Sequence, residues 1–127
     1  MPVVAVSKGV RVSPRKVSVV AALVRGRSVA DALTILEHTP RRSAHYVLET
    51  IKSARANAEH NHSLKPSTLV ITQLLVTPGP RLKRYRPAAR GRALPFQRQT
   101  SHIKVVVDGE KREIKKPAVK AAAKETK

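Results

Sequence analysis

Residues 77–101 read TPGPRLKRYRPAARGRALPFQRQTS. The run holds seven basic residues (Arg81, Lys83, Arg84, Arg86, Arg90, Arg92 and Arg98), no acidic residue and four of the chain's nine prolines. Seven like charges cannot enter a core without partners, because burying an unpaired ion is strongly unfavourable. The run therefore has no use inside a compact fold. It is preceded by TLVITQLLVT (68–77) and followed by SHIKVVVD (101–108), both β-branched and apolar, and both read as strands. Ile103, Val105 and Val107 share one face. If the two strands pair as a hairpin, equidistance between Leu69 and Val107 puts the tip near Ala88. About nineteen residues of extended chain reach at most ~60 Å. A body of about 100 residues has a radius of gyration of only ~13 Å. The sequence thus predicts an apolar strand out, a rigid basic arm that projects from the body, and an apolar strand back.

The rest of the composition asks what polyanion such an arm serves. The chain has 127 residues, one domain's worth, with a formal charge of +18. Self-repulsion of that size is tolerable mainly when a polyanion neutralises it, which makes nucleic acid the leading partner and an acidic membrane surface the second. The core must come from Val, Leu, Ile and Ala, since Tyr46, Tyr85 and Phe96 are the only aromatics. There is no cysteine, which excludes a disulfide framework and a thiolate metal site. Pro2 to Val6 is too short for a signal-peptide core, and no apolar run approaches the ~18–20 residues of a membrane span. The expected location is the cytosol, or the matrix or stroma of an organelle, with no membrane partner.

Upstream of the arm, residues 2–12 alternate as a strand, with Val4, Val6, Val10 and Val12 on one face and Gly9 permitting a bulge. Ser13 and Pro14 open a helix as N-cap and first residue. Its apolar stripe is Val17, Val20, Ala21 and Val24, and Gly26 stops it. Ser28 to Asp31 starts a second helix in the manner of a capping box, with Val29, Ala32, Leu33 and Leu36 as its stripe, ending near His38. Thr39-Pro40 starts the third and longest helix, to about Asn61, with Ala44, Val47, Leu48, Ile51, Arg55 and Ala58 on its 3.6-residue period. Asp108-Gly109 is a turn signal. Residues 1–109 read as a single domain. Residues 110–127 read as a basic, Lys/Ala-rich tail without a packed core, ordering on RNA if at all.

The chemistry-bearing residues are cations. On the arm, arginine neutralises phosphates and adds bidentate geometry and base stacking. Pro78, Pro80, Pro87 and Pro95 restrict its backbone, and the small residues Ala88, Ala89, Gly91 and Ala93 suit a cramped apex. Tyr85 and Phe96 stand as candidates for base stacking, whereas Tyr46 reads as core. Lys8, Arg11, Arg15 and Lys16 lie at a strand end and a helix N-terminus, where free N–H groups attract phosphate; an ordinary solvated face is the alternative. Arg25 and Arg27 flank Gly26 and either meet phosphate or complement the helix dipole. Arg41 and Arg42 oppose the dipole of the third helix, which favours an external anion. His60 and His62 lack the carboxylate or cysteine that would complete a metal site. His38, His45 and His102 have no nucleophile or acid partner, and neither a carboxylate pair nor a phosphate-cradling glycine motif is present. No catalytic residue, cofactor or metal is expected.

Several of these segments coincide with one family. Ser13-Pro14-Arg15-Lys16-Val17, Val24-Arg25-Gly26 and Ala56-Asn57-Ala58-Glu59-His60-Asn61 belong to the pattern. So do Gly79-Pro80, Lys83-Arg84, Ala89-Arg90-Gly91-Arg92 and His102-Ile103-Lys104-Val105-Val106-Val107. From about Val4 to Val107 the chain resembles the bacterial-type L22 (uL22) family of large-subunit ribosomal proteins. The resemblance implies an α+β body of three helices on a three-stranded antiparallel sheet with an extended hairpin. It implies that the body sits near the exit of the nascent-peptide tunnel and that the arm threads through 23S-type rRNA. The tip, Pro87 to Ala93 (Pro87, Ala88, Ala89, Arg90, Gly91, Arg92, Ala93), would line the tunnel, and the arm would aid assembly by touching several rRNA domains. Partners would be rRNA, other large-subunit proteins and the nascent polypeptide, without a homo-oligomer. The chain departs from the family at Ala88, where a basic residue is common. The rival reading is a DNA-bending architectural protein with a basic β-arm. An enzyme acting on RNA has no candidate acid, base or metal.

Overall fold

The structure is a computed structural model that describes residues 1–112. Its elements run β1 (Val3–Val10), α1 (Pro14–Val24), α2 (Val29–His38), α3 (Arg42–His62), β2 (Val70–Pro78), β3 (Leu82–Pro87), β4 (Ala93–Arg98) and β5 (Ser101–Asp108). An antiparallel sheet of order β1-β5-β2 forms the floor of the body, and β3 and β4 form a separate two-stranded ladder. The fold is α+β, as expected.

β5 is central and is the most buried strand of the sheet. Ile103, Val105 and Val107 are fully buried on its inner face, beside Ile71 and Leu74 of β2 and Val3 and Ala5 of β1. α3 lies over β1 and β5, α1 over β2, and α2 packs against α3. Buried Ala44, Ala54 and Ala58 let α3 approach closely, so a core almost without aromatics still closes. The Ser28 hydroxyl accepts from the Asp31 N–H and so caps α2.

Four local readings change. On β1, Val3 and Ala5 face the core, while Val4 and Val6 are 44% and 49% exposed. A bulge between Ser7 and Val10, with Gly9 at φ 69°, inserts one residue and returns Val10 to the inner face. Period-2 counting across that bulge inverted the first half of the strand. α3 begins at Arg42 with Arg41 as its N-cap, and Ala54 rather than exposed Arg55 completes its buried stripe. β2 begins at Val70, after one 3₁₀ turn at Pro66–Thr68. The apex of the arm is Arg90, not Ala88. Ile71 rather than Leu69 opposes Val107, and β2 gains one residue at Thr72. The outgoing strand gains another between Pro78 and Leu82, where Pro78 pairs with Ser101 but Leu82 with Arg98.

That second insertion is the root of the arm. Pro78 and Pro80 have no N–H, so the ladder cannot continue through them. Gly79 donates to the Thr100 carbonyl at 2.8 Å, and the Thr100 hydroxyl donates to the Pro80 carbonyl at 2.5 Å. A Cβ on Gly79 would stand 2.6 Å from Thr100 Oγ1. Gly79→Ala should therefore destabilise by about 1–3 kcal/mol through overpacking. In a double-mutant cycle read by thermal unfolding, Thr100→Ala should recover part of that loss; purely additive costs would show that the two side chains do not collide.

At the far end of β5, Lys65 donates to the Glu110 carbonyl and Arg112 to the Ser63 carbonyl. The backbone thus stays tied to the body three residues beyond Gly109. The remainder of the expected tail, residues 113–127, lies outside the described residues.

Candidate nucleic-acid interface

Two helix N-termini meet beside the arm root. The Ser43 hydroxyl, in the first turn of α3, donates to the Lys16 carbonyl in the first turn of α1 at 3.4 Å. Neither helix has a side-chain cap or an acidic residue in its first turn. Both N-terminal dipoles therefore lack internal compensation. Between these turns and the start of the arm opens a cleft of about 760 Å³, lined by Arg11, Lys16, Arg41, Arg42 and Arg98 with Ser13, Ser43, Gln97 and Gln99. Among the described residues, five cations and no carboxylate line it. A smaller hollow shares Arg11, Arg42 and Arg98 and extends to Leu82 and Thr100 at the foot of the arm.

The arm continues this surface on one side only. In an antiparallel ladder, paired residues share a face and alternate along the strand. The pairs Leu82–Arg98, Arg84–Phe96 and Arg86–Leu94 make one face, and Lys83–Gln97, Tyr85–Pro95 and Pro87–Ala93 the other. The first is the arginine face and runs out of the cleft through Arg98. On it the Arg86 and Arg98 guanidinium carbons lie 5.1 and 5.5 Å from the centre of the half-buried Phe96 ring. Cation–π contacts of this kind hold guanidinium groups in defined positions. Phe96 therefore organises two arginines instead of offering a free stacking surface.

At the apex, the Ala88 N–H donates to the Arg92 carbonyl, and Arg90 and Gly91 take φ of 60° and 67°. Two consecutive left-handed residues make a tight turn whose twist suits a hairpin. Arg90 pays for its place there with about 1–2 kcal/mol of backbone strain. Arg92, Ala89 and Ala93 are exposed around it.

The remaining basic residues divide. Lys8 and Arg15 are exposed, Lys8 beside the β1 bulge and Arg15 on the first turn of α1, and neither lines the cleft. Arg81 reaches Gln97 at 3.4 Å, and Arg84 donates to the Lys83 carbonyl. Arg25 Nε donates to the Leu74 carbonyl and Arg27 Nε to the Leu23 carbonyl. Both are engaged with the body: Arg27 meets an open carbonyl at the end of α1, as a cation that completes a helix C-terminus does, and Arg25 meets β2.

Acidic groups stay away from this surface. Among the described residues, Lys52–Glu37 is the only lysine or arginine side chain paired with a carboxylate. Asp108 lies at the end of β5 opposite the arm. The Met1 ammonium group, and next the Gly109 N–H, hold its carboxyl below the usual carboxylate range. Among the described residues no three His, Cys, Asp or Glu side chains gather as a metal site, and no helix is long and apolar enough to cross a membrane.

The family described as ribosomal protein L22p/L17e matches residues 5–108. The chain belongs to that ribosomal protein family. The large ribosomal subunit protein uL22 of Desulforamulus reducens is 50% identical over 107 residues, covering 84% of this chain and 95% of that relative. The match spans the body and the arm alike.

What sequence reasoning missed is how these residues are grouped. Arg11 with Lys16, Arg41 with Arg42, and Arg98 come from three separate stretches, and no spacing rule joins the three. The available signals were local to each stretch: Arg11 and Lys16 at a helix N-terminus, and the dipole misfit at Arg41 and Arg42.

Proposed function

We propose that the chain is a structural component of the large ribosomal subunit in the cytoplasm, not an enzyme, and that it binds 23S-type rRNA through one continuous surface. The cleft grips the sugar–phosphate backbone with Arg11, Lys16, Arg41 and Arg42 and with the two helix N-termini. Arg98 hands this contact to the arginine face of the arm. RNA shape supplies the specificity, since the deep groove of A-form RNA offers side chains little direct readout. The arm inserts between rRNA elements, and the apex from Pro87 to Ala93 lines the nascent-peptide exit tunnel. Other large-subunit proteins adjoin the body. The observation that carries this reading is the convergence, at the foot of the basic arm, of two uncapped helix N-termini and five cations that have no carboxylate partner among the described residues.

Gradient sedimentation tests it. The chain should co-migrate with large subunits, and its affinity for free 23S-type rRNA should fall by about 10³-fold or more between 50 and 200 mM salt. Migration with DNA in a nuclease-sensitive complex would favour the architectural alternative. Density for residues 82–94 on the outer solvent face of a ribosome would remove the tunnel assignment.

A further inference from the structure

The face of the arm opposite the arginines differs chemically. It carries Lys83, Tyr85, Pro87, Ala93, Pro95 and Gln97, two prolines and one aromatic ring beside a single cation. Tyr85 is 72% exposed, more than any other large hydrophobic side chain among the described residues. Among the described residues no aromatic pair and no cation–π contact involves its ring, whereas Phe96 on the opposite face is flanked by two guanidinium groups. Directly across the ladder stands Pro95, and the row toward the apex is Pro87 and Ala93. These short side chains leave the ring unscreened on the apex side. Both prolines also fix the backbone beneath it, so little freedom is lost when a planar ligand settles there. Toward the root, Lys83 and Gln97 supply an ammonium group and an amide, whose oxygen accepts from Arg81 at 3.4 Å and whose NH2 group is left to donate.

We propose that Tyr85 and Pro95 form a stacking platform for one unpaired nucleobase, with Lys83 and Gln97 reading its edge or its phosphate. This assignment rests on the rRNA-binding reading above and adds a second, chemically separate contact to it. The arginine face meets backbone charge, which is indifferent to base identity. The tyrosine face meets a splayed-out base, as single-stranded recognition by aromatic side chains requires. The arm then clamps into RNA from both sides, with charge on one and stacking on the other.

The test compares the full-length chain with Tyr85→Ala, Tyr85→Phe and Tyr85→Trp on deproteinised 23S-type rRNA. Tyr85→Ala should lose about 5- to 100-fold in affinity, the range found when a base-stacking aromatic is removed. Its salt slope should stay that of the wild type, because no phosphate contact is lost. Tyr85→Phe and Tyr85→Trp should bind as the wild type does. Probing with base-selective reagents should show one nucleotide protected by the wild type and the Phe variant and reactive with the Ala variant. Wild-type affinity and footprint in Tyr85→Ala would overturn the platform while leaving the rRNA reading intact. Crosslinking of residue 85 to a nascent polypeptide, with an unchanged RNA footprint, would overturn it in favour of a peptide contact. A wild-type chain without salt-dependent rRNA binding would remove both readings.

Discussion

Replacing Arg11, Lys16, Arg41 and Arg42 together with glutamine should weaken binding to 23S-type rRNA on the order of 10²-fold at 0.15 M salt and flatten the log–log salt slope by about three. The size follows from the count of phosphate contacts, since each contact releases somewhat less than one counterion. Glutamine keeps much of each stem and a hydrogen-bond donor, so the change removes charge and little else. Stability should hold. The four side chains are exposed, and none has a carboxylate partner among the described residues. Relieving like charge at two helix N-termini favours the fold. Thermal unfolding checks this part, and a salt titration of binding checks the rest. An unchanged salt slope would mean that the cleft faces water and that the arm alone meets RNA. Arg25 and Arg27 are the matching control. Each donates to a body carbonyl, so glutamine there should leave the salt slope nearly untouched.

The architecture was legible in the sequence wherever one periodicity ran without interruption. β5 needed no revision, because Ser101 to Asp108 is a short apolar run with a turn behind it. The stripe of α1, Val17 to Val24, is the buried face. Most misreadings fall where a residue is inserted or the period drifts, whereas α3 and β2 simply start later, at Arg42 and Val70. The bulge at Gly9 reversed which valines of β1 face inward, and the insertions at Thr72 and after Pro78 carried the apex from Ala88 to Arg90. A bulge is set by the pairing strand, and local sequence does not contain its partner. The interface divides in the same way. The arm was visible as a charge run, but its two faces depend on a register that pairs Arg84 with Phe96 and Tyr85 with Pro95. That register turns two apparently equivalent aromatics into an organiser of arginines and a free ring. The cleft was visible only as separate basic stretches, since only the packing of α1 against α3, through Ser43 and Lys16, brings its cations together.

Excising the arm, with Leu82 to Arg98 replaced by an Asn-Gly turn, should leave the body folded and yet cost on the order of 10³-fold or more in rRNA affinity. None of the buried core residues lies between Arg81 and Gln99. The sheet β1-β5-β2 and its helices thus lose no packing, and an Asn-Gly turn between Arg81 and Gln99 closes a root that the Gly79–Thr100 hydrogen bond still holds. The deletion removes Lys83, Arg84, Arg86, Arg90, Arg92 and Arg98, taking the formal charge from +18 to +12. Self-repulsion in the free protein therefore falls, and its melting temperature should hold or rise slightly. In cells, large subunits carrying the excised chain should accumulate as slower-sedimenting precursors, because the arm is the part proposed to bridge rRNA elements during assembly. Normal precursor levels and full rRNA affinity would show that the arm is dispensable for both. Combined with the four-glutamine cleft, the excision should lose less than the sum of the two effects. Arg98 lines the cleft as well as the arginine face, and groups that share a ligand do not contribute additively. Strictly additive losses would instead mean two independent RNA contacts that merely neighbour each other at the root of the arm.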